Sequence, residues 1–374
     1  MQNTKRRVEV GMVGWLLCSV YGLSAYADPP KAQYEHGELV VSLASADEAR
    51  LASVSVDRAV EYLEKGTRAW TGKHNCVSCH TNGAYLQMRP ALTGRLGKPL
   101  EEQHVFFVKA LDDFKQRYAE KARKLKRGIT PTQIAYLASG LAEWDAHVTG
   151  QLSAETNDAL TLMFGVQAAD GSWGNTECWP PFESSNYHGT TVAAMAAATA
   201  PGWLDQVSDE SVQAGVEKMK EYLRVTEPPH DYGRLLLLWA ATRLPDLLDD
   251  QKRQQLLATV LDHQQEDGGW SIRSFADPEQ WGNGSRAEKL RSEPEFESPP
   301  SDGHMTGLAI LVAREAGVPA DDSRLQSGVQ WLQANQRESG RWWTRSLNTD
   351  SYHFITYSGT IYALAALDKC GVLK

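Results

Sequence analysis

Cysteine is scarce in this chain: five residues in 374, at positions 18, 76, 79, 178 and 370. That excludes a disulfide framework, and whether Cys178 pairs with Cys370 is left open. Positive charge is also short. The 38 Lys and Arg against 47 Asp and Glu give a net charge of −9, which argues against a nucleic-acid or anionic-membrane surface. Phenylalanine is rare at 8, whereas Trp and Tyr number 12 and 13. That aromatic balance calls for a structural reason. With 42% hydrophobic and 23% charged residues, the chain reads as globular and long enough for one large domain or two modest ones.

What is present begins at the N-terminus. The basic Lys5-Arg6-Arg7, the apolar run Val8 to Leu23 and the small-x-small Ala25-Tyr26-Ala27 compose a secretory signal peptide over 1–27. An uncleaved anchor is the competing reading, and the run is near the lower limit for a span. The expected localisation is exported, periplasmic or otherwise extracytoplasmic, with no stable membrane span after cleavage. Residues 28–55 open with prolines and small polar residues and read as an arm or linker.

Cys76-Val77-Ser78-Cys79-His80 has the Cys-x-x-Cys-His spacing of covalent c-type haem attachment. Two thiols a short turn apart can add across the two vinyl groups of one porphyrin, and the adjacent imidazole then lies beneath the iron. Cys76 and Cys79 are the expected attachment points for haem c, with His80 the proximal iron ligand. A redox dithiol and a zinc half-site assisted by His74 and His80 share this spacing. No thioredoxin-like strand–helix pattern surrounds it, and no second Cys-x-x-Cys exists. Export agrees with haem, because c-type haem is attached on the far side of the membrane in bacteria. Candidates for a distal ligand or a second site are His104, His188, His230, His304, His353 and Met88. A second imidazole or an open site is expected over Met88, whose place on a short helix points to packing.

Periodicity predicts helices over Val56 to Arg68, Gly83 to Met88 (stopped before Pro90), Val105 to Leu125 and Thr130 to about Trp144. The basic run Lys121, Arg123, Lys124, Lys126, Arg127 reads as a solvated face at a helix C-terminus. From Ser153 the chain repeats itself. Gln167 to Trp173, Gln264 to Trp270 and Gln336 to Trp342 all fit Gln-x-x-x-Gly-x-Trp. Each is followed by a polar loop and an apolar helix, at Tyr187–Ala200, His304–Ala316 and Phe354–Lys369. A further pair, Val212–Arg224 and Tyr232–Arg243, lacks the signature. The physical reading is a helix, a turn ended by Gly, a Trp clamp and a second helix buried on nearly all sides.

These turns resemble the QW repeats of the squalene–hopene cyclase and protein-prenyltransferase β-subunit superfamily. The resemblance covers 153–374 well and extends loosely from Val56. It implies an all-α fold, an α/α toroid of about five to six helix pairs around an apolar cavity, with 56–374 as one domain and 56–100 as its haem-motif pair. Gln167, Gly171, Trp173, Gln264, Gly268, Trp270, Gln336, Gly340 and Trp342 carry over as structural residues only. Neither Asp-x-Asp-Asp nor Asp-Asp-x-x-Asp occurs, so the acid of class II cyclases and the magnesium–diphosphate ligands are missing. The haem motif together with these repeats is similar to a group of exported squalene-cyclase-like bacterial proteins.

His188, His230, His304 and His353 each sit at or just before the start of a second helix. If those helices line the cavity, the four imidazoles share one rim, where helix N-termini would lower their pKa and favour anions. The polar insertion 273–302 predicts a structureless stretch, disordered or acting as a lid over that rim. Two functions remain: a haem-bearing redox or electron-transfer protein with a redox partner protein, or a toroid that binds or isomerises an apolar or prenyl molecule in its cavity.

Overall fold

The computed structural model describes residues 31–174, 179–182 and 185–373. The stretch 1–27, expected to be a signal peptide, and Cys178 lie outside them. A short antiparallel hairpin comes first, β1 (Ala32–His36) and β2 (Leu39–Ser42). Fifteen α-helices follow among the described residues: α1 (Val56–His74), α2 (Asn82–Met88), α3 (Thr93–Leu96), α4 (Glu101–Leu125), α5 (Thr130–Trp144), α6 (Ala154–Gly165), α7 (Asn186–Thr199), α8 (Trp203–Gln206), α9 (Glu210–Val225), α10 (Asp231–Arg243), α11 (Asp250–Asp262), α12 (Ala287–Arg291), α13 (Gly303–Glu315), α14 (Ser323–Asn335) and α15 (Ile355–Lys369). The fold is all-α apart from the hairpin. No helix among the described residues is long and apolar enough to cross a membrane.

Side-chain size sorts the helices. In α5, α7, α13 and α15 nearly every residue is buried, because Ala, Gly, Thr and Ser let neighbours approach on all faces. In α1 and α9 only one stripe is buried, such as Ala59, Tyr62, Leu63 and Gly66 on α1. Helix α2 packs on α5, α5 on α7, α7 on α10, α10 on α13, α13 on α15, and α15 returns to α2. The amphipathic helices α1, α4, α6, α9, α11 and α14 lie against this set. The buried set shares a polar network at one end. Arg243 of α10 pairs with Glu143 of α5, donates to Thr199 Oγ1 of α7 at 2.7 Å and lies 3.9 Å from Glu315 of α13.

The three Gln-x-x-x-Gly-x-Trp turns work as clamps. Trp173, Trp270 and Trp342 are buried, and their indole N–H groups donate to Met163, Val260 and Leu332 carbonyls at 2.7, 2.9 and 2.7 Å. Gln167, Gln264 and Gln336 each donate to the carbonyl of their own turn glycine and to one on the next pair: Gly215, Arg324 and Ser55. The third clamp therefore reaches back to the cap of α1. Gly340, at φ +89°, shows why glycine is required, since a Cβ there would lie 2.3 Å from the Arg58 carbonyl.

Three sequence expectations need correction here. Part of the arm 28–55 is the hairpin, not a linker: Gln33 and Tyr34 are buried, and Gln33 bonds the His353 carbonyl, Tyr62 and Arg341. The insertion 273–302 is not structureless. It forms 3₁₀ turns at Ile272–Phe275 and Pro278–Gln280 and helix α12. Arg273 grips Glu293 with two nitrogens, and Trp281 is buried against His230. Its many polar residues bond to one another and to the body of the fold, which composition alone does not reveal. Helix α1 also runs beyond Arg68 to His74, ending where Asn75 takes a left-handed conformation (φ 48°) and donates its N–H to the Thr71 carbonyl.

Candidate functional site

Cys76–His80 is the loop between α1 and α2, and backbone demand fixes its shape. Asn82, at the start of α2, accepts the Ser78 N–H at 2.7 Å and donates to the Cys76 carbonyl at 3.0 Å. Gly83 N–H donates to the Ser78 carbonyl at 2.8 Å, and a Cβ at Gly83 would meet that oxygen at 2.3 Å. From α5, Gln133 donates to the Val77 carbonyl at 3.0 Å. None of these bonds uses a sulfur.

His80 Nδ1 lies 2.7 Å from Thr81 Oγ1, which in turn meets the Tyr34 hydroxyl at 3.1 Å. This contact occupies Nδ1 and leaves Nε2 as the nitrogen for a ligand. Burial, helped by His74, pulls the His80 pKa down to about 3. The imidazole is therefore neutral, the form that binds a metal. Phe354 stacks on it at 4.7 Å between centroids, and Trp70 meets it edge-on at 4.5 Å.

The loop opens on a cleft of about 370 Å³ walled largely by apolar side chains, including Trp70, Ile129, Trp179, Phe182, Tyr352 and Phe354. That volume is at the small end for ligand sites, so a large group would keep one edge in solvent. Of the six exposed large hydrophobic residues described, three stand here: Ile129 at 40%, Trp179 at 61% and Tyr352 at 37% exposure. Trp70 Nε1 and Asn348 Oδ1, both lining the cleft, are buried without a hydrogen-bond partner. Two cysteines, a neutral imidazole with one nitrogen anchored, apolar walls and two orphaned polar atoms fit a covalently held haem. For the zinc reading, His74 stacks on Trp70 at 4.0 Å, and no group of three or more potential ligands is gathered among the described residues.

The other histidines divide. His188 and His304 lie behind the cleft, within 6.1 and 5.6 Å of Phe182 between centroids. Their Nε2 atoms are engaged by Tyr136 at 2.8 Å and Tyr232 at 3.2 Å. His230 Nδ1 accepts the Gly233 N–H and caps α10. His353 instead faces Trp343 and accepts the Ser346 N–H at 3.0 Å. His188, His230 and His304 thus gather around Tyr232, at 6.4, 6.2 and 6.0 Å between ring centroids, whereas His353 stands apart from them. None of these four lines the cleft. His104 stacks on Trp144, and Met88 is buried in the core as packing predicts. Sequence reasoning missed Thr81, Trp179, Tyr352 and Phe354. Only Thr81, adjacent to the motif, carried a local signal.

Burial, rather than a helix N-terminus, is the main cause of the low histidine pKa values: about 3 for His188 and His304, and about 4 for His230. In the unfolded chain these groups take up protons below about pH 6.5, whereas the folded protein resists until far lower. Their stabilisation is present above about pH 6.5 and is lost as pH falls towards 3, at about 1.4 kcal/mol per unit for each group. Asp302 acts oppositely. Burial raises its pKa to about 6, so its protonation below pH 6 offsets roughly one histidine. The urea midpoint is expected to be clearly lower at pH 5 than at pH 7.5. An unchanged or higher midpoint at pH 5 contradicts this.

No protein-family model and no curated protein matches the chain.

Proposed function

We propose that this is an exported α/α-toroid protein that carries haem c at Cys76 and Cys79 and transfers electrons. The observation that carries the reading is the locked Cys76–His80 loop, with its neutral imidazole, opening on an apolar cleft ringed by exposed Ile129, Trp179 and Tyr352. The six-membered cycle of helix contacts, the Gln336 bond to Ser55 and the likeness to QW repeats support the toroid.

When bound, haem supplies one-electron exchange between ferric and ferrous iron. The chain's residues would do the rest. Cys76 and Cys79 would form the thioethers, and His80 would ligate through Nε2. Thr81 holds the ring orientation from Nδ1. Trp70, Phe182 and Phe354 exclude water from the inner side. The narrow cleft would leave one edge of the group exposed, which a partner needs for close approach. The test is the mass and the reduced-minus-oxidised visible spectrum of the exported protein. A colourless protein of apoprotein mass refutes the proposal.

A further inference from the structure

The segment that leads to the cleft rim differs in charge from the whole chain. Between Arg117 and Arg127 stand six cations, Arg117, Lys121, Arg123, Lys124, Lys126 and Arg127, against one carboxylate, Glu120. All six are exposed, and none makes an ion pair or side-chain hydrogen bond among the described residues. They occupy the last turns of α4 and the turn into α5. Ile129, on the cleft rim, is two residues beyond Arg127. Two residues span at most about 7 Å, less than the screening length of about 8 Å at physiological salt. The nearest cations are therefore felt at the rim even though the chain as a whole carries −9.

We infer that the basic segment Lys121–Arg127, which runs into apolar Ile129 at the rim, forms with Trp179 and Tyr352 the docking surface for an acidic one-electron carrier protein. The inference rests on the proposed haem. Local positive charge steers an acidic partner to the rim, and the exposed apolar side chains give it a dry contact once there. Apolar contact without charge would not orient the encounter. The net negative charge of the rest of the surface turns acidic partners away from other faces. The transfer is balanced by one electron: the carrier is oxidised by one electron and the ferric haem reduced to ferrous, with no bond or proton exchanged.

The test is stopped-flow reduction of the ferric haem protein by a reduced plant-type ferredoxin, an acidic iron–sulfur carrier of sufficiently low potential. Its rate constant is expected to fall about tenfold or more from low to high salt. Lys124→Glu with Arg127→Glu should lower the low-salt rate to near the high-salt value, while helicity and the haem spectrum stay as in the wild type. A rate that rises with salt, a flat salt profile, or a double variant that keeps the wild-type profile overturns the docking surface and leaves the haem reading intact. A protein without haem overturns both.

Discussion

Cys76→Ala combined with Cys79→Ala is expected to yield a folded, exported protein of apoprotein mass with no covalently retained haem spectrum. The thiols have no substitute, because thioether attachment needs both sulfurs beside the His80 imidazole. Each single variant should keep at most one thioether and shift the mass and spectrum accordingly. The fold should tolerate the pair of changes. The loop is shaped by hydrogen bonds of Asn82, Gly83, Gln133 and Thr81 to backbone groups and to His80, which the double variant keeps. Circular dichroism should therefore match the wild type. Covalent haem retained by the double variant would contradict the assignment of these two cysteines.

Trp342→Ala is expected to cost about 3–5 kcal/mol, a large part of the roughly 5–15 kcal/mol that holds a typical domain together. The side chain is fully buried, and its indole N–H donates to Leu332, so truncation leaves both a cavity and an unpaired carbonyl. Gly340→Ala should be comparably severe. It sets a Cβ against the Arg58 backbone as well as straining φ. Gly317→Ala makes the control: φ is +94° there but nothing lies within 4 Å of the added carbon, so only the strain of about 1–2 kcal/mol remains. Equilibrium denaturation separates these. Equal losses for Gly340→Ala and Gly317→Ala would show that the contact with α1 carries little weight.

The clamps were legible because each is local: Gln, Gly and Trp lie within seven positions and satisfy one turn. Their reach was not. Nothing in Gln336 announces that its second partner is the carbonyl of Ser55. The same limit explains the histidines. Their position at helix starts was readable, but Tyr136 and Tyr232, which engage His188 and His304, come from neighbouring helices. The site followed this pattern too. Cys76, Cys79 and His80 are a contiguous motif, whereas Phe354 and Tyr352 reach it only through the packing of α15 beside α1 and α2. The insertion 273–302 was misread because Arg273–Glu293 and Trp281–His230 pair residues far apart in sequence.

The contact of α1 with α15 places the junction between the early and late parts of the chain at the cleft itself. Trp70 and His80 belong to one side of that junction, Tyr352 and Phe354 to the other. A group filling the cleft touches both and acts as a clasp. Occupying the site and fastening the two sides are then one event. Spreading the junction opens the site, and whatever binds there draws on the stability of the entire chain and returns it by the same amount.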